Sequence, residues 1–120
     1  HPDYELFRRL HCPDYGFGGL LTLDLGTQEL AYALMDMLQN DYRFGYLAVS
    51  LGYFDTLMSC PGSTTSSEMT EEDKQAAGIS PGLVRMSVGI TGTVEQRWRQ
   101  LDGALDRLGV IEARSTTKAL

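Results

Sequence analysis

The sequence predicts an α+β domain, an antiparallel or mixed sheet with helices packed on one face. Three observations lead there. Period-two and period-3.6 apolar patterns alternate along the chain, the connections between them are short, and no apolar run approaches a membrane span. At 120 residues the chain has room for one core, and that core is small.

Taken in order, Asp3 to Leu10 carries Tyr4, Leu6, Phe7 and Leu10, which suits a short helix ending near His11. Cys12-Pro13-Asp14-Tyr15-Gly16 is a turn. Phe17 to Leu25 reads as a strand with Leu21, Leu23 and Leu25 on one face and Thr22 and Asp24 on the other. Thr27 is placed to cap a helix over 28–39, whose stripe is Leu30, Leu34, Met37 and Leu38. Phe44 to Val49 is nearly continuous in apolar character and reads as a central strand. Tyr53 to Met58 forms a third strand after the break at Leu51-Gly52.

Residues 59–69 are polar and turn-rich, and a stretch that long without periodicity is usually functional or mobile. Thr70, Asp73 and Gly78 bracket a short acidic helix, and Leu83 to Val88 is a fourth strand. Thr93 and Gln96 have capping-box spacing, and Val94, Trp98, Leu101, Leu105 and Leu108 follow at helical intervals. The residues after Val110 read as a frayed tail. The order is β-α-β-β-α-β-α behind a leading helix, with hairpin-like connections and no internal repeat.

Composition narrows the function. A net charge of −6 disfavours a phosphate-binding face, so nucleic acid is not an expected partner, and neither is a membrane. The two cysteines, Cys12 and Cys60, make no disulfide framework and no zinc spacing, which suits free thiols in a reducing, cytoplasmic compartment. His1, His11 and Cys12 match no metal-binding helix or turn. The opening residues are neither basic nor apolar and do not form a signal peptide. They read as the middle of something, and the chain is expected to be a fragment.

Three stretches carry candidate chemistry. In Gly82-Leu83-Val84-Arg85-Met86-Ser87-Val88-Gly89, alternation puts Arg85 inside a strand that otherwise wants burial. A permanent cation there must meet an anion. Two readings are open: a salt bridge to Asp55 or Glu68, or a bidentate fork for a substrate carboxylate. In Leu47-Ala48-Val49-Ser50-Leu51-Gly52-Tyr53, Ser50 is either a turn residue or a hydroxyl offered to a ligand of Arg85. The Ser/Thr run 63–67 is a solvated loop or an active-site loop. No GxGxxG, no GxSxG and no paired His ligands occur. The only lysines, Lys74 and Lys118, lack the apolar setting that Schiff-base chemistry needs. The residues show binding chemistry without a reaction centre.

Leu47-Ala48-Val49-Ser50-Leu51-Gly52, Asp55-Thr56-Leu57, Thr65 with Ser67, Ala77-Gly78-Ile79 and Gly82 to Gly89 together resemble the end of the cystathionine/methionine γ-lyase family. The similarity runs from about residue 1 to 108, and five blocks at matching separations make it specific. The resemblance implies the small C-terminal domain of the aspartate-aminotransferase type of fold, with residues 1–16 as the connecting segment, 17–110 as the substrate-closing domain and 111–120 as the tail. It implies a missing large domain that binds pyridoxal 5'-phosphate through a lysine, sulfur amino acids as substrates, and a homotetramer. Cofactor chemistry would break bonds at Cβ or Cγ. Arg85 resembles the family arginine that clamps the substrate α-carboxylate, Ser50 the serine beside it, and Thr65 a threonine near the cofactor side.

There are departures. Many relatives carry His where this chain has Cys60 or Ser66, and Ile90-Thr91-Gly92-Thr93 lacks a common acidic pair. Elimination at Cβ or Cγ and γ-replacement all stay open, and these residues alone should be inactive. The alternative is a stand-alone ferredoxin-like regulatory module, in which Arg85 and Ser50 would hold an amino-acid effector.

Overall fold

The computed structural model describes residues 1–111. The elements in chain order are α1 (Tyr4–Leu10), β1 (Leu20–Asp24), α2 (Gln28–Asn40), β2 (Gly45–Leu47), β3 (Thr56–Ser59), α3 (Glu71–Ala76), β4 (Leu83–Ser87) and α4 (Val94–Leu108). The four strands form a mixed sheet in the order β1-β4-β3-β2. β4 runs antiparallel to β1 and β3, while β2 and β3 are parallel. The tail expected after Val110 lies, from residue 112 on, outside the described residues.

One face of the sheet carries the core. Leu21, Leu23, Met58, Val84 and Met86 point toward α2 and α4, where they meet Ala31, Leu34, Met35, Leu38 and Ala104. Leu34, Leu38, Met58, Val84 and Met86 are fully buried, each worth about 1.5–3 kcal/mol against exposure. The helices are set by their caps. Thr27 Oγ1 accepts from Leu30 N–H at 3.3 Å, Thr70 Oγ1 from Asp73 N–H at 3.2 Å, and Thr93 Oγ1 from Gln96 N–H at 3.1 Å. Gly109, with φ of 67°, closes α4 in the left-handed conformation.

Several expectations are corrected. β1 begins at Leu20 because Gly16 and Gly18, at φ of 68° and 91°, keep the preceding chain out of the extended region. Of the expected α2 stripe Leu34 and Leu38 are fully buried, whereas Leu30 and Met37 are only partly covered and Ala31 and Met35 complete the buried face instead. On α4, Val94 and Trp98 start the apolar pattern but are 82% and 52% exposed, so the stripe reaches the core only from Leu101.

The largest correction concerns the middle of the chain. β2 is an edge strand, not a central one, and no hairpin joins it to β3. Parallel neighbours require the chain to travel back along the whole strand before pairing. Residues 48–55 make that return, and Tyr53 and Phe54 belong to it instead of to β3. This strap crosses the sheet on the side away from the helices: Gly52 N–H donates to Ser87 Oγ at 3.2 Å and Arg85 Nη2 to the Val49 carbonyl at 3.1 Å. Two split βαβ units of a ferredoxin-like module would put the first strand inside the sheet. Here β1 is an edge, which removes that alternative at the level of topology.

Candidate functional site

Arg85 sits in the middle of β4, with Thr22 of β1 and Ser59 of β3 as its cross-strand partners. Paired residues share a face, so these side chains and Ser87 stand together opposite the core. Among the described residues Arg85 makes no ion pair, and its one hydrogen bond goes to the Val49 carbonyl. Neither carboxylate anticipated as a salt-bridge partner takes that role. Asp55 is bound by Arg97, Nη2 to Oδ1 at 3.0 Å, and Glu68 makes no pair with Arg85. Asp24, on the same face two register pairs along, spends its Oδ1 on Gly26 N–H at 2.9 Å and Ser80 Oγ at 2.6 Å. The Ser80 hydroxyl first, then the Gly26 amide, hold the Asp24 carboxyl below its usual value of 3.8.

Ser50 directly follows the carbonyl that Arg85 holds, so the fold does bring Arg85 and the Ser50 segment together. Ser50 is exposed on the strap. Thr65 is exposed on the turn after residues 61–63, and no hydrogen bond joins it to Arg85 or Ser50 among the described residues. Its neighbour Thr64 is the anchored one, donating from Oγ1 to the Cys60 carbonyl at 2.9 Å. Thr64, Val49, Met58 and Ser59 also line a cavity of about 380 Å³ beside the strap.

Sequence reading missed Ser59, which it assigned to the polar loop. Ser59 is 4% exposed and its Oγ has no hydrogen-bond partner among the described residues. An unsatisfied hydroxyl in such a place costs about 1–3 kcal/mol. The signal was available in part: a serine opposite Arg85 once β3 is registered against β4. That register is not readable from one strand alone.

The described residues hold no group of three metal-ligating side chains. Nor do they suit a covalently bound pyridoxal phosphate. Lys74 is tied to Glu71 at 2.8 Å on an acidic helix, and Lys118 lies outside the described residues. Cys60 is buried and donates to the Pro81 carbonyl at 3.5 Å, while Cys12 is exposed; both thiols are free.

Fold and site thus define the class: an α+β domain whose open sheet face presents a guanidinium lacking a carboxylate partner, flanked by hydroxyls. The chain belongs to the family of Cys/Met metabolism PLP-dependent enzymes, whose pattern matches residues 1–105. It is 57% identical over 108 residues to a methionine gamma-lyase of Arabidopsis thaliana, covering 90% of this chain and 24% of that protein. An L-methionine gamma-lyase of Fusobacterium nucleatum subsp. nucleatum is 37% identical over 109 residues, covering 90% and 26%. The crystal structure of a cystathionine gamma synthase from Xanthomonas oryzae pv. oryzae, in complex with cystathionine, superimposes with a TM-score of 0.74 at 35% identity. That match covers 91% of this chain and 26% of the other. The chain therefore spans about a quarter of the length of the relatives it matches.

Proposed function

We propose that these residues are the substrate-closing part of a pyridoxal-phosphate-dependent carbon–sulfur lyase of the methionine γ-lyase kind, acting on sulfur amino acids. The observation that carries the reading is Arg85: a strand-borne guanidinium with a backbone carbonyl and no carboxylate for company. An arginine kept this way suits an incoming carboxylate, because its planar fork meets two oxygens at once. Ser50, next to the carbonyl that steers Arg85, would offer the carboxylate a further donor, and Thr65 would face the cofactor side.

The cofactor would be held by a lysine outside the described residues, and residues 1–16 would connect to that part. The exposed apolar side chains of α1 and the strap, among them Phe7, Leu10, Leu51 and Phe54, supply surface for packing against it. A homotetramer is what the family resemblance suggests, and the two free thiols suit a reducing, cytoplasmic compartment.

The test is an assay of the enzyme that carries this chain, supplied with pyridoxal phosphate. Release of a thiol and a 2-oxo acid from L-methionine or L-cystathionine is the expected result. An enzyme that releases neither from any sulfur amino acid would overturn the reading.

A further inference from the structure

The strap 48–55 is fixed at its far end by a charged junction that takes no part in the Arg85 site. Arg97, on α4, has a side chain only 15% exposed and gathers four segments around one guanidinium. Its Nε donates to the Thr91 carbonyl at 2.8 Å, and Nη1 to the Phe44 carbonyl at 2.8 Å and to Gln100 Oε1 at 3.3 Å. Nη2 donates to Asp55 Oδ1 at 3.0 Å and to Thr91 Oγ1. Asp55, equally shielded, completes the triangle by accepting from Thr91 Oγ1 at 2.7 Å and from Thr56 N–H at 2.8 Å.

The backbone is locked at the same spot. Ile90 N–H donates to the Phe54 carbonyl at 2.9 Å, and Gly89 N–H to Thr56 Oγ1 at 3.1 Å. A Cβ on Gly89 would stand 2.6 Å from the Phe54 oxygen, so the segment after β4 and the end of the strap lie in direct contact.

The rest of the strap is held lightly. Ala48 N–H donates to the Met58 carbonyl at 2.9 Å, and among the described residues the other hydrogen bonds of 48–53 are Gly52 N–H to Ser87 Oγ and Arg85 to the Val49 carbonyl. Both are single bonds on the open face, and one uses the guanidinium itself. The ionic junction is thus the strongest restraint on a segment whose middle carries Ser50.

We propose that Asp55, Thr91 and Arg97 form a latch that positions the strap, and through it Ser50 and the Val49 carbonyl, around Arg85. They are positioning residues: none faces the open side of the sheet beside Arg85. The proposal rests on the reading of Arg85 and Ser50 as the carboxylate site. Loosening the latch lets the Val49 carbonyl and Ser50 drift from Arg85, so the carboxylate is held less well while the reacting bond is untouched.

The experiment compares Asp55→Asn, Thr91→Val and Arg85→Gln with the parent enzyme, by steady-state kinetics on L-methionine and by hydrogen exchange of the ligand-free protein. Asp55→Asn keeps an oxygen that can accept from Arg97, Thr91 and Thr56 and loses the charge. Its kcat/KM should fall about 10- to 100-fold, with the loss in KM and kcat within about twofold. Thr91→Val is nearly isosteric and guards against misfolding of the first variant; its KM should rise about 3- to 10-fold. In both, the Gly52 and Ile90 amides, which donate to Ser87 Oγ and to the Phe54 carbonyl, should lose protection while those of β4 and α2 keep theirs.

A loss of protection spread evenly over the sheet, or an unchanged KM with a loosened strap, would overturn the latch. Arg85→Gln separates the two proposals. Should it leave KM unchanged, the carboxylate reading falls and the latch falls with it. Should it raise KM while Asp55→Asn and Thr91→Val do not, only the latch falls.

Discussion

Two residues on the open face of the sheet, Ser59 and Asp24, act on stability in opposite directions. Ser59 buries a hydroxyl without a partner, so Ser59→Ala should raise the stability of the ligand-free protein by about 1 kcal/mol, measured by urea denaturation. A loss of stability would mean that the hydroxyl is already satisfied. Asp24 contributes a pH dependence of known sign. Its carboxyl lies below the usual 3.8 in the folded chain, through the Ser80 hydroxyl and then the Gly26 amide. The stabilisation is therefore complete above that ordinary value and is lost as pH falls through the lower folded one. Asp24→Asn should flatten the acid limb of stability and lower stability at neutral pH, with the difference from the parent disappearing once the pH falls below the folded-state value. Arg85 was legible in the sequence as a cation needing a partner, because strand alternation and charge are both local. That its partner is not Asp55 was not legible, since Arg97 lies 42 residues further on and reaches Asp55 only in three dimensions.

Among the elements, the caps and the helices were the readable part. Thr27, Thr70 and Thr93 each cap as their positions suggest, since a cap is decided within four residues. Thr27→Ala should cost about 1 kcal/mol in thermal or urea unfolding. The sheet was readable in its strands and not in their pairing. Phe44 to Val49 looks central because it is apolar, yet it contributes an edge strand of three residues with Tyr46 and Leu47 half exposed. Continuous apolar character reports burial against anything, including surface meant for another part of a longer chain. The parallel turn-back to β3 also depends on Gly45, where an added Cβ would stand 2.9 Å from Thr56 Cβ. Gly45→Ala should destabilise the sheet by about 1–3 kcal/mol, with the loss of exchange protection centred on residues 45–47 and 56–58. A neutral Gly45→Ala would contradict the tight β2–β3 pairing described above.

Over the whole molecule, the family is fixed by the match to residues 1–105, while the chain covers about a quarter of its relatives. Apolar side chains are left exposed on α1, the strap and the start of α4, among them Leu10, Val49 and Val94. Expressed alone, residues 1–120 should bind a hydrophobic dye strongly, and that signal should be largely absent from a protein in which the proposed large domain covers them. Equal dye binding by both would place the apolar surface outside any packing role. Why five short blocks outran the local reading is also a matter of scale. The proposed roles of Arg85, Ser50 and Thr65 depend on groups beyond the described residues, so their local surroundings alone do not reveal them.

The most direct measurement of the central claim is a cycle between Arg85 and the substrate carboxylate. The kcat/KM values of the enzyme for L-methionine and for L-methioninamide are compared before and after Arg85→Gln. If Arg85 holds the carboxylate, the substitution costs about 2–5 kcal/mol with methionine and far less with the amide, which has no carboxylate to lose. Equal losses on both substrates would show that Arg85 supports the fold and leaves the carboxylate to another residue.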